Sequence, residues 1–127
     1  MKKDYAIWKV FGGYLLIIFL MLISNHASGQ SPCGDNLCVV QFNAGWNAAK
    51  SVDWVTKEKL TDCNTKFIDI AVDTKSAGTY KIVVVPTILI FNGGEEVGRF
   101  QANIMMEMEA TQKDVQEKID EIIMEDF

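Results

Sequence analysis

Residues 83 to 94 read VVVPTILIFNGG, and this stretch decides the fold. Pro86 has no N–H to give to a ladder, so a strand begins just after it. Thr87 to Phe91 (TILIF) is rich in β-branched and apolar side chains, which suits a buried strand. Asn92-Gly93-Gly94 tolerates positive φ and predicts a hairpin turn, with Glu96–Gln101 as the return strand. Upstream, Cys38–Ala44 (CVVQFNA) and Lys66–Val72 (KFIDIAV) carry two further strand signals. Between them, Val52, Val55 and Leu60 lie at helical spacing after Asn47, a fair N-cap, so Asn47–Leu60 is expected as a helix. Thr74–Lys81 reads as a short helix or turn. Downstream, Thr111-Gln112-Lys113-Asp114 resembles a capped helix start, and Val115, Ile119, Ile122 and Ile123 form one apolar stripe, with an earlier start near Asn103 left open. The order βαβ–α–ββα predicts an α/β domain, a mixed four-stranded sheet with helices on both faces.

Composition narrows the function classes. The 127 residues carry 12 basic and 17 acidic side chains, a formal charge of −5, which disfavours a nucleic-acid binder with its basic face. One His and 3 Cys without ligand spacing argue against a metal site, and no phosphate loop or Ser/His/Asp set suggests a cofactor.

The first 29 residues stand apart. Lys2, Lys3 and Lys9 precede the apolar run Val10–Ile23, which leads to Ala27-Ser28-Gly29. A positive start, a hydrophobic middle and a small-residue exit mark a secretory signal peptide. The alternative is an uncleaved membrane anchor from Tyr5 to Ile23, with Lys9 snorkelling to the interface. His26 falls within this segment and has no chemistry to do after cleavage. Residues 1–29 are therefore expected as a signal or anchor helix and 30–127 as the folded domain, on the periplasmic or other extracytoplasmic side of a membrane.

Phe42-Asn43-Ala44-Gly45-Trp46 before the first helix and Val85-Pro86-Thr87 before a Gly-rich hairpin together resemble the thioredoxin family. The resemblance runs from about Val39 to Met124. It implies a minimal thioredoxin-like fold, without the extra N-terminal strand and helix of full thioredoxins, and a cis Val85–Pro86 bond. It also implies that Trp46, Asn47, Lys50, Val85, Pro86 and Thr87 line the groove where the family binds extended polypeptide. The family's two cysteines follow the Trp; here that segment is Asn47-Ala48-Ala49-Lys50. The family's buried carboxylate falls on Gln41, and its accompanying Lys on Asp69.

Of the three cysteines, Cys38 with Cys63 is the first pairing expected, and Cys33 with either is the alternative. Met105, Met106 and Met108, beside Glu107 and Glu109, read as flexible core filler rather than a Cu(I) site. Asp120, Glu121, Glu125 and Asp126 read as a solvated face. These features lead to one expectation: an exported, redox-inactive thioredoxin-like domain, not an enzyme, binding an unidentified protein partner, as a soluble protein or an accessory subunit of a cell-envelope assembly. The alternative is a thiol–disulfide oxidoreductase of unusual layout using Cys33, Cys38 and Cys63.

Overall fold

The computed structural model describes residues 31–126; the signal or anchor expected over residues 1–29 lies outside them. Four strands form one sheet: β1 (Cys38–Asn43), β2 (Asn64–Asp69), β3 (Thr87–Asn92) and β4 (Glu95–Gln101). Their spatial order is β2-β1-β3-β4. β1 runs parallel to β2 and antiparallel to β3, and β3 is antiparallel to β4, so the sheet is mixed. Every residue of β1 is buried, as expected for a central strand covered on both faces.

Side-chain alternation splits the core in two. Val39, Ile88 and Ile90 face Val55 of helix α1 (Asp53–Thr56) and Val115, Ile119 and Ile122 of helix α3 (Gln112–Glu125). Cys38, Val40, Phe42, Leu89 and Phe91 face the other way, towards Ala77 of helix α2 (Ser76–Thr79) and Tyr80. The Tyr80 ring lies 5.2 Å from that of Phe42 and 5.7 Å from that of Phe91. Helices thus cover both faces. The hairpin follows the sequence too, with Gly93 and Gly94 at φ 62° and 85° between β3 and β4.

One helix expectation is corrected and one is narrowed. Asn47–Leu60 is not one helix: Gly45–Lys50 forms a 3-10 segment, Ser51 and Val52 are extended, and α1 covers one turn. Asn47 caps nothing, because its amide turns inward to Asn43 instead. The last helix does begin at Thr111 rather than near Asn103. The Thr111 hydroxyl accepts from the Asp114 N–H at 3.2 Å, and the Asp114 carboxylate accepts from the Thr111 N–H at 2.9 Å. These two contacts, backbone first, hold the Asp114 carboxyl below its usual range. Its contribution is therefore present above the ordinary Asp pKa and lost as pH falls through the depressed value. Thr111→Ala is expected to cost about 1 kcal/mol in urea unfolding at neutral pH. An unchanged midpoint would show that the cap does not hold the helix.

Candidate functional site: a cysteine pair below the sheet and an apolar cleft above it

Pro32, Gly34, Asp35 and Asn36 are turn formers, and together they fold the chain back just before β1. Gly34 takes φ 62°, its N–H reaches the Ser31 carbonyl at 3.3 Å, and the Asn36 N–H reaches the Cys33 carbonyl at 3.3 Å. The turn is tied to the β3–β4 hairpin by the Gly93 N–H on the Asp35 carbonyl (3.2 Å) and to β2 by Lys66 Nζ on the Pro32 carbonyl (3.3 Å). This places Cys33 beside the first residue of β1. The two form a disulfide, with Cα atoms 6.4 Å apart. Cys38 is fully buried, whereas Cys33 is only half-buried.

The Cys38–Cys63 pairing is thereby corrected: Cys63 is a free thiol. The register explains it. Cys38 lies opposite Asn64, so the residue before Asn64 points to the other face of the sheet. Cys33 and Cys38 pack with the α2-side core, and Cys63 with the α1/α3-side core. Burial, and secondarily the neighbouring Asp62, push the Cys63 thiol up to about 11. At pH 7 it is expected to resist iodoacetamide in the folded chain, while unfolding without reductant releases a single reactive thiol by mass spectrometry. Three modified cysteines in that experiment would contradict the pairing.

The other end of β1 holds the positions to which the resemblance assigns a groove. Asn43 emerges there fully buried, and its Nδ2 donates to the Asn47 carbonyl (3.1 Å) and the Ser51 hydroxyl (2.7 Å). Gln41, also fully buried, grips Val52 by both ends of its amide: Nε2 donates to the carbonyl at 3.1 Å, and Oε1 accepts from the N–H at 2.6 Å. These neutral contacts hold the 3-10 segment and the residues after it against the end of β1. Asp69 accepts from the N–H groups of Gly45 (3.3 Å) and Ala71 (2.9 Å). Lys50 forms an ion pair with Glu107 at 3.0 Å. The Val85–Pro86 bond is cis, and Thr87, buried beneath it, donates its hydroxyl to the Val84 carbonyl at 2.7 Å. Arg99 holds the approach to this loop through the carbonyls of Lys81 (2.9 Å) and Tyr80 (2.6 Å).

Above these residues lies a cleft of about 360 Å³ lined by Trp46, Ile70, Val83, Val85, Ile104 and Met106, among others. Its rim is apolar and exposed: Trp46 is 71% accessible and Ile104 96%. Trp46 and Val85 line the cleft, whereas Asn47, Lys50, Pro86 and Thr87 are not among its lining residues. The reading of the methionines as core filler holds for Met108, which packs on the core, and fails for Met105 and Met106, which are exposed. Asn103 explains the difference. Its Oδ1 accepts from the N–H groups of Met105 (2.8 Å) and Glu107 (3.1 Å), fixing a loop that turns the methionines outward. An Asn before an apolar run is the signal that could have found this loop. Among the described residues no cluster of His, Cys, Asp and Glu could hold a metal ion.

The topology, the cis proline and the helices on both faces define a thioredoxin-like fold. Known proteins agree. The chain is 33% identical over 79 residues to thioredoxin H2-1 of Oryza sativa subsp. japonica, covering 59% of this chain and 57% of that one. It therefore spans less than two thirds of that relative's length. Similar solved structures include a mutant thioredoxin of Halobacterium salinarum NRC-1 (TM-score 0.56, 21% identity, 68% of this chain and 74% of that one). The thioredoxin NaTrxh of Nicotiana alata gives a TM-score of 0.51 at 24% identity, over 80% of this chain and 83% of that one. No family model matches the sequence.

The expectation of a redox-inactive domain that is not an enzyme is corrected by these findings. A disulfide-forming pair is present, Cys33 with Cys38, in a chain whose relatives are thioredoxins. The segment after Trp46 carries no sulfur, residues 47 and 50 being Asn and Lys, so the redox-inactive expectation gives way to its alternative, which used the remaining cysteines. The pair stands at the start of β1 instead, Cys33 in the preceding turn and Cys38 as the first residue of the strand.

Proposed function

We propose that the chain is a thiol–disulfide oxidoreductase whose redox couple is Cys33–Cys38. The observation that carries this reading is the disulfide, with one sulfur half-buried in a surface turn and the other sealed in the central strand. A substrate thiolate attacks Sγ of Cys33, and Cys38 leaves as a thiolate and takes up a proton. The substrate's second thiolate then attacks the substrate sulfur of the mixed disulfide and expels Cys33, which is protonated in turn. The substrate dithiol loses two electrons and two protons to become a disulfide, and the pair gains them. Run backwards, the same steps reduce a substrate disulfide, and a second dithiol restores the pair. Cys63 takes no part, being on the other face of the sheet with its thiol held neutral.

The apolar rim supports a polypeptide substrate. Trp46, Val83, Ile104, Met105 and Met106 form an exposed hydrophobic surface, and such surfaces on soluble domains mark binding sites. The six residues of β1 set the cleft about 20 Å from the disulfide, a distance an extended segment of six or more residues covers. Export through residues 1–29 would place the couple where disulfides persist.

Insulin disulfide reduction with dithiothreitol as the electron source tests the reading. Turnover above the dithiol alone, kept in Cys63→Ser, is the expected result. A rate equal to that of the dithiol alone overturns it.

A further inference from the structure

We infer that Arg99 is a positioning residue for the apolar cleft: its guanidinium fixes the backbone from which the cleft wall, Ile82 to Val85, departs. The inference rests on the reading of that cleft as the place where a polypeptide substrate binds. The wall follows α2, which closes in a Schellman ending: the Ile82 N–H reaches the Ala77 carbonyl at 2.8 Å and the Lys81 N–H the Gly78 carbonyl at 3.4 Å. Such an ending places the residue after the C-cap in the left-handed region, where Gly is the usual occupant. Here that residue is Lys81, at φ 55°. Its β-carbon crowds the following carbonyl in this conformation, so the turn needs support from outside the helix. Arg99 gives it, donating Nη2 to the Tyr80 carbonyl (2.6 Å) and Nη1 to the Lys81 carbonyl (2.9 Å).

A break in the ladder aims this side chain. Leu89 pairs with Arg99, Ile90 with Gly98 and Phe91 with Glu96, which leaves Val97 as the extra residue of a β-bulge. In an unbroken strand residues 96 and 99 would point to opposite faces of the sheet. The bulge sets both on the face of Leu89 and Phe91, against which Ala77 and Tyr80 pack. Glu96 there accepts from Nε at 3.1 Å and from Nη2 at 2.8 Å, a two-point pairing that fixes the guanidinium plane. An exposed ion pair alone contributes little, but this one orients a fork whose other donors hold backbone. The far end of the wall has its own ties, the Thr87 hydroxyl on the Val84 carbonyl (2.7 Å) and the Ala102 N–H on the Pro86 carbonyl (3.0 Å). The wall is thus a short span held at two points, with Trp46 and Ile104 across the cleft from it. Releasing the first point loosens the wall before any substrate arrives, and a site that must be ordered on binding binds more weakly.

Hydrogen exchange and binding on the full chain test this with Arg99→Met, which keeps the alkyl stem, and Arg99→Lys, which keeps the charge but not the fork. Arg99→Met is expected to speed exchange of the Ile82 amide at least about tenfold while leaving the Ala102 amide as it was, the mark of a local release. Carboxymethylated insulin B chain, an unfolded polypeptide without free thiols, is expected to bind that variant at least about fivefold more weakly. In insulin reduction KM is expected to rise by the same factor with kcat within about twofold, because the chemistry lies elsewhere. Arg99→Lys is expected to fall between the parent and Arg99→Met in all three. Unchanged exchange at Ile82, an equal rise at Ala102, or binding indifferent to Arg99→Met overturns the proposal. A parent chain that does not bind the B chain overturns the reading of the cleft and this role with it. A parent that binds the B chain but reduces no insulin overturns the redox reading alone, and weaker binding by Arg99→Met then still supports the role.

Discussion

Cys33→Ser is expected to abolish disulfide exchange, lowering turnover by at least about a hundredfold, because removal of an attacking or attacked atom is among the largest single-site losses. Cys38→Ser is expected to do the same to turnover but to leave a different product. Cys33 remains half-accessible in the turn, so the variant still forms a mixed disulfide with substrate, and without Cys38 that bond is not resolved from the protein's side. Trapped adducts should therefore accumulate in Cys38→Ser and be absent in Cys33→Ser, as read by non-reducing electrophoresis and mass spectrometry. The asymmetry follows from burial: Cys38 is shut between β2 and β3, where no external thiolate reaches it. Adducts on Cys38 with Cys33 removed would reverse the assignment of roles.

Gln41→Glu is expected to produce the second largest effect, this time on stability. The Gln41 amide donates to the Val52 carbonyl and accepts from the Val52 N–H in a fully buried site. An isosteric carboxylate keeps the acceptor and sets its second oxygen against a carbonyl oxygen. Only the protonated acid can donate there, so the folded state raises this carboxyl's pKa above the unfolded value of about 4.3. The sign follows from linkage. Between the two pKa values the folded state binds more protons, so stability falls as pH rises, and it levels off above the folded pKa. The variant should approach the parent in stability below pH ~4 and lose up to about 4 kcal/mol by pH 7 if its folded pKa exceeds 7. Urea midpoints that do not separate with rising pH would show that Val52 is not held in this way.

The sequence shows the sheet far more clearly than the site. Pro86, the apolar run after it and Asn92-Gly93-Gly94 each limit the backbone locally, and β3, the turn and β4 fall where those limits place them. Thr111 with Asp114 marks a helix start for the same reason. Asn47–Leu60 misleads because the spacing of Val52, Val55 and Leu60 is helical, while the break at Ser51 and Val52 depends on Gln41, eleven residues before Val52. The cysteine pairing was illegible for a similar reason. It follows from the register of β1 against β2, which assigns Cys38 and Cys63 to opposite faces. The cleft was half legible: Trp46 and Val85, which line it, stand out in the sequence, but Ile104 and Met106 enter through a loop that the Asn103 side chain organises.

The central claim is that the Cys33–Cys38 bond is a working couple and not a staple. Equilibrating the purified chain in a series of reduced and oxidised dithiothreitol mixtures, then alkylating and weighing it, measures this most directly. The account predicts one reversible two-electron transition that adds two alkyl groups, at Cys33 and Cys38, while circular dichroism stays native throughout. A bond that opens only when the chain unfolds, or that does not re-form on return to oxidising mixtures, would contradict it.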